Sequence, residues 1–138
     1  MPFRFKVSGI QTIFERSDSA VLYVPRRYAQ LAFELVWEAY KQIGPNLRND
    51  VPLFTLRLAP GLAFAEDPGT QESFGMSRCR NLAHAIWLAH QQGARATEAR
   101  LATVEQHFRS EGISLERPWL NPGSANDLPF HAVEGASA

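Results

Sequence analysis

Apolar and polar residues alternate at the start of the chain, with Phe3, Phe5 and Val7 set against Arg4, Lys6 and Ser8. That period of two predicts a half-buried strand, which Gly9 ends. Ser19–Val24 (SAVLYV) predicts a second, more buried strand. Pro25 stops it and suits the first position of a helix. From 25 to 43, Tyr28, Leu31, Ala32, Leu35, Val36, Ala39, Tyr40 and Ile43 recur at helical spacing. Phe33 and Trp37 widen that apolar arc, so two sides of the helix are expected to be covered; Gly44-Pro45 ends it. Leu53–Leu58 alternates again, Ala59-Pro60-Gly61 breaks it, and Leu62–Ala65 is a short apolar run before the turn signal Glu66-Asp67-Pro68-Gly69. A helix is predicted over 77–92, with Ser77 as N-cap and Cys79, Leu82, Ile86 and Ala89 inward. A last helix is predicted over 97–111, with Leu101, Val104 and Phe108 inward and Gly112 as its stop.

These elements predict an α+β fold: a single small, mostly antiparallel sheet with about three helices packed against it. The unit from Ser19 to Leu58 also admits a right-handed parallel crossover. The expected core is Leu31, Leu35, Ala39, Leu82, Ile86, Leu101, Val104 and Phe108, with Cys79 buried and inert. One domain is expected over 1–123, with a flexible tail over 124–138.

Composition narrows the partners. The 138 residues are 45% hydrophobic and 20% charged with zero formal net charge, ordinary for a globular domain and without bulk attraction for nucleic acid or an anionic membrane. Cys79 is the one cysteine, which leaves no intramolecular disulfide and no cysteine-based zinc site. The histidines show no metal-ligand spacing, and nothing calls for a cofactor. No run reaches the length of a membrane span, and the first residues do not read as a signal peptide, so a cytoplasmic protein is expected. Of 14 Lys and Arg residues only Lys6 and Lys41 are lysine. Arginine is the residue suited to bidentate contacts with carboxylate or phosphate.

Charge placement supplies the candidate chemistry. Arg26 and Arg27 fall at the predicted start of one helix, Arg78 and Arg80 at the start of another, each pair against the positive end of its own dipole. Structural pairing with Glu66, Asp67 or Glu72 would satisfy the second pair. A bound anion would satisfy both, since helix N-termini and arginine forks together make phosphate sites. Arg16, Arg57 and Ser73 are placed in the same candidate phosphate-binding group. His84, one turn beyond Arg80, is the candidate proton donor, with Tyr23 as an alternative phenol.

The stretch VPLFTLRLAPGLAFAEDPGTQESFGMSRCRNLAHAI, with RSDSAVLYVPRRY before it and GISLERPWLNPGS after it, resembles the Hrp outer protein A (HopA-type) effector family. The resemblance covers about Phe3 to Ser124. It implies an α+β domain found in secreted bacterial effectors and in clusters that make lanthipeptide-type or thioamidated peptides. Related proteins there are lyases that remove phosphate from phosphoserine or phosphothreonine beside a kinase-like partner. It also implies that the chain is either a short member or the C-terminal part of a longer family domain. Such a lyase requires a phosphate clamp, a base for the Cα proton and an acid for the leaving group. Where the family pattern has a lysine after its Phe-Thr pair, this chain has Leu56 followed by Arg57. Arginine stays protonated and is a poor base, so Lys6 becomes the fallback candidate. The competing expectation is a non-catalytic module that holds a phosphorylated or acidic peptide or protein partner.

Overall fold

The computed structural model describes residues 1–9 and 17–128. Among them, in chain order, stand β1 (Arg4–Val7), β2 (Ala20–Tyr23), α1 (Ala29–Ile43), β3 (Leu56–Ala59), β4 (Leu62–Phe64), α2 (Phe74–Gln91) and α3 (Thr97–Ser110). The α+β class holds, but the strands do not share a sheet. β1 pairs with β2 and β3 with β4, in two separate two-stranded sheets. The first is antiparallel, with Phe5 opposite Leu22 and Lys6 opposite Val21, and the placing of β2 and β3 in different sheets rules out the parallel crossover between them. The expected strand over 53–58 forms only from Leu56, because Phe54 takes a left-handed backbone conformation, φ 70°, and turns the chain.

The described residues form two compact units: 1–9 and 17–52 with 57–64 and 127–128, and 53–56 with 65–126. In the first unit, α1 carries a ladder of stacked rings. Phe33 and Trp37 lie 5.8 Å apart, Trp37 and Tyr40 5.2 Å. The Tyr40 hydroxyl donates to the Pro60 carbonyl at 2.9 Å in the β3–β4 turn. That turn has Pro60 at its second position and Gly61 at its third with φ +69°, the arrangement of a type II turn. A Cβ on Gly61 would stand 2.3 Å from the Arg48 carbonyl oxygen, so the close approach needs glycine. The aromatic ladder and Ala29 and Ala32 decide which side of α1 turns inward. Leu31, Leu35, Ala39 and Ile43 are exposed, against the expectation for the first three. With ten of its fifteen residues apolar, the helix offers a wide apolar arc, and spacing alone left the inward side open.

In the second unit, α2 and α3 pack on each other. Both end in the same hydrogen-bonded cap: Gly93 donates to His90 and Ala94 to Ala89, Gly112 to Arg109 and Ile113 to Phe108, the pattern of a Schellman motif. The inward stripe of α2 is Ser77, Arg78, Asn81, Ala85 and Ala89, small or polar residues that let α3 come close. The larger Ile86 and Trp87 are therefore displaced to the surface, and Leu101 of α3 is exposed as well. Leu82 and Val104 are half-buried. Phe108 is fully buried and meets the Phe54 ring at 5.9 Å. Cys79, expected inside, is exposed, because it lies one residue beyond the Ser77–Arg78 edge of the buried stripe.

Candidate functional site

α2 begins earlier than its sequence suggests. Ser73, not Ser77, is the N-cap, and its hydroxyl accepts the Met76 N–H at 3.3 Å. The Phe74-Gly75 pair concealed this start by reading as a turn. Arg78 and Arg80 therefore stand in the second turn, where the dipole penalty has faded. A 3-10 turn, Arg26–Tyr28, likewise precedes α1, so Arg26 and Arg27 lie outside that helix.

Each arginine has a specific neighbour. Arg78 is 2% exposed; its Nε donates to the Pro118 carbonyl at 2.8 Å and an Nη to the Leu120 carbonyl at 2.9 Å. Its guanidinium carbon lies 4.8 Å from the centre of the Phe74 ring, and burial pushes its pKa down from the ordinary value. Opposite it, Glu66 accepts the Asn121 N–H at 2.7 Å and its own N–H donates to the Trp119 carbonyl, while the Asn121 amide donates to the Asp67 carbonyl. The neighbouring segments AEDP and SFGMSRCR are thus both closed by hydrogen bonds on RPWLNPG, about forty or more positions further along the chain. Arg78 is a clamp for backbone carbonyls.

Arg80 faces outward and makes a two-pronged contact with Glu72, Nε to Oε1 at 3.0 Å and Nη2 to Oε2 at 3.0 Å. The pair is visible in both partners. Hydrogen bonding to Arg80 holds the Glu72 carboxyl below its usual range. Hydrogen bonding to Glu72, then its charge, raises Arg80, with a smaller contribution from Glu111 at the end of α3.

One turn along α2 from Arg80, the His84 ring meets the His107 ring edge-on at 4.8 Å and stacks with Trp87 at 5.7 Å. His84 is exposed, whereas His107 is buried and its Nε2 has no hydrogen-bond partner among the described residues. Arg80 and His84 on α2 thus stand beside His107 on α3 and Glu111 just past its end, and Glu72 completes the strip. Sequence reading found Arg80 and His84 and missed His107. The available signal was the short α2–α3 connection, which makes the helices antiparallel and brings positions on either side of it face to face. Among the described residues no group of three His, Cys, Asp or Glu side chains is arranged to hold a metal ion.

The remaining candidates lie in the first unit. Arg26 is paired with Asp127, Arg57 donates to the Asn49 side chain, and the Arg27 guanidinium lies 4.9 Å from the centre of the Tyr28 ring. Arg4 covers the Tyr23 ring at 4.2 Å. Lys6 stands on β1, exposed. Arg16 lies outside the described residues.

A family model, described as the HopA1 effector protein family, matches residues 1–120. The chain belongs to that family. No curated protein matches the sequence. In this HopA1-family chain the matched residues include all three segments of the Arg78 clasp up to Leu120 and the whole Arg80–His84–His107 strip. No helix among the described residues is long and apolar enough to cross a membrane.

Proposed function

We propose that this effector-family protein acts on a phosphorylated peptide, eliminating phosphate from phosphoserine or phosphothreonine to leave a dehydroamino acid. The observation that supports the reading is the strip on α2 and α3: an outward arginine fork, an exposed imidazole one turn away, and a second imidazole edge-on to the first. In the elimination a base takes the Cα proton, its electron pair forms the Cα–Cβ double bond, and the Cβ–O bond breaks as phosphate leaves. Arg80 offers two N–H donors to the phosphate oxygens. His84 as imidazolium gives the departing phosphate its proton. Glu72 does not bar the fork: the pair is exposed and screened by solvent, and a phosphate dianion competes with a single carboxylate. A kinase-like partner would supply the phosphopeptide, and the site of action is the bacterial cytoplasm or, after secretion, a target cell.

Incubation with a phosphothreonine peptide, followed by mass spectrometry, tests the reading. The expected product has lost the elements of phosphoric acid; Arg80→Ala weakens peptide binding, and His84→Ala spares binding and slows elimination. A second reading, binding of the phosphopeptide without turnover, is favoured by the closure of Arg78 on backbone carbonyls, which leaves Arg80 as the only fork on the strip. Binding with no loss of phosphate in the parent chain would select it.

A further inference from the structure

β1 belongs to the first unit and has an open outer edge among the described residues. Its inner edge is taken by β2. The Ser8 N–H donates to the Ser19 carbonyl at 2.8 Å, which sets the phase of the ladder: Ser8, Lys6 and Arg4 are the residues bonded to β2, opposite Ser19, Val21 and Tyr23. The N–H and C=O groups of Phe5 and Val7 therefore point away from β2. No described strand pairs with them. Phe3, Phe5 and Val7 are 66%, 58% and 58% exposed and share one face of the strand. Arg4 and Lys6 share the other and make no ion pair among the described residues.

We infer that the outer edge of β1 is a docking strand for an extended peptide in which acidic and apolar residues alternate. Such a peptide adds a third strand. Its backbone takes up the outward groups of Phe5 and Val7, its carboxylates meet Arg4 and Lys6, and its apolar side chains cover Phe3, Phe5 and Val7. Charge argues against a second copy as the occupant. The antiparallel register that sets Phe5 opposite Phe5 of another β1, and so covers the most apolar surface, puts Arg4 against Lys6 and Lys6 against Arg4. The inference goes beyond the elimination reading and is tested without phosphate.

The probe is a synthetic peptide of alternating Glu and Val, added to the full chain and followed by fluorescence anisotropy and amide hydrogen exchange. The Phe5 and Val7 amides should gain protection on binding, while the Lys6 amide, already bonded to β2, should not change. Replacing Glu by Lys in the peptide should weaken binding about tenfold or more, and Arg4→Glu with Lys6→Glu should reverse that preference. Equal binding of both peptides, or no added protection at Phe5 and Val7 in the parent chain, overturns the inference. So does sedimentation showing that β1 is instead covered by a second copy.

Discussion

Arg78 reaches the Pro118 carbonyl across forty positions of sequence, with its Nε 2.8 Å from the oxygen. Together with the Leu120 carbonyl, this makes two charge-assisted bonds in a place closed to water. Each is worth about 1.5–3 kcal/mol, and removing the donor strands two carbonyls. Arg78→Met should therefore cost about 3 kcal/mol or more in urea unfolding. Arg78→Lys should recover only part of it, because a point ammonium does not reproduce the fork. A methionine variant within about 1 kcal/mol of the parent would show that the clasp is not a stabilising contact.

Phe108 is fully buried, whereas Leu35 is 57% exposed. Phe108→Ala should cost about 3–5 kcal/mol as a cavity mutation. Leu35→Ala should stay within about 0.5 kcal/mol, as exposed substitutions do. Comparable losses from the two would contradict the inward assignment of α1.

The contrast marks where the sequence was legible. α3 runs within a residue of its predicted span, since Gly112 and the Leu101, Val104 and Phe108 spacing bound it. The existence and type of the other long elements also followed from periodicity. Which face turned inward did not, because α1 is apolar over most of its circumference and α2 packs through alanine, serine, asparagine and a single arginine. Small-residue packing carries no hydropathy signal. The same limit applies to the candidate site. Arg80 and His84 were visible as neighbours one turn apart on one helix, while His107 needed the pairing of two helices. The Glu72–Arg80 pair was among the foreseen alternatives; the Arg78 contacts to carbonyls were not, since backbone acceptors leave no trace in composition.

Cys79 provides an inexpensive check of that packing. Its exposed position on α2 should let a thiol reagent label one equivalent in the folded protein without denaturant. Labelling that waits for global unfolding would place Cys79 inside and shift the stripe of α2.

Gly61 joins the β3–β4 turn to the segment that follows α1. Any side chain there meets both the positive φ of 69° and the Arg48 carbonyl at 2.3 Å from the Cβ position. Gly61→Ala should destabilise by about 2 kcal/mol or more, combining backbone strain with a clash against main chain that cannot rotate away. Gly69 also has positive φ, but a Cβ there meets nothing within 4 Å. Gly69→Ala should cost about 1 kcal/mol, from the backbone alone. Equal losses at both positions would remove the steric contribution.

Glu72 and Arg80 link surface electrostatics to the proposed phosphate site. Arg80 holds the Glu72 carboxyl below its ordinary value of 4.5, so the pair's stabilisation is complete above that pH. It is lost as pH falls through the depressed value and Glu72 takes up its proton. A chain carrying Glu72→Gln lacks this contribution. Its stability difference from the parent should be flat from neutral pH down to about 4.5 and close below it. At neutral pH the same substitution removes the carboxylate that competes for the Arg80 fork and leaves an uncharged amide. Phosphopeptide binding by Glu72→Gln should therefore be tighter than by the parent, and titration calorimetry should show the gain disappear when Arg80→Ala is added. If Glu72→Gln binds phosphopeptide no better than the parent, or keeps its gain without Arg80, then Arg80 is not the phosphate ligand. The elimination proposal would then lose the residue on which its geometry rests.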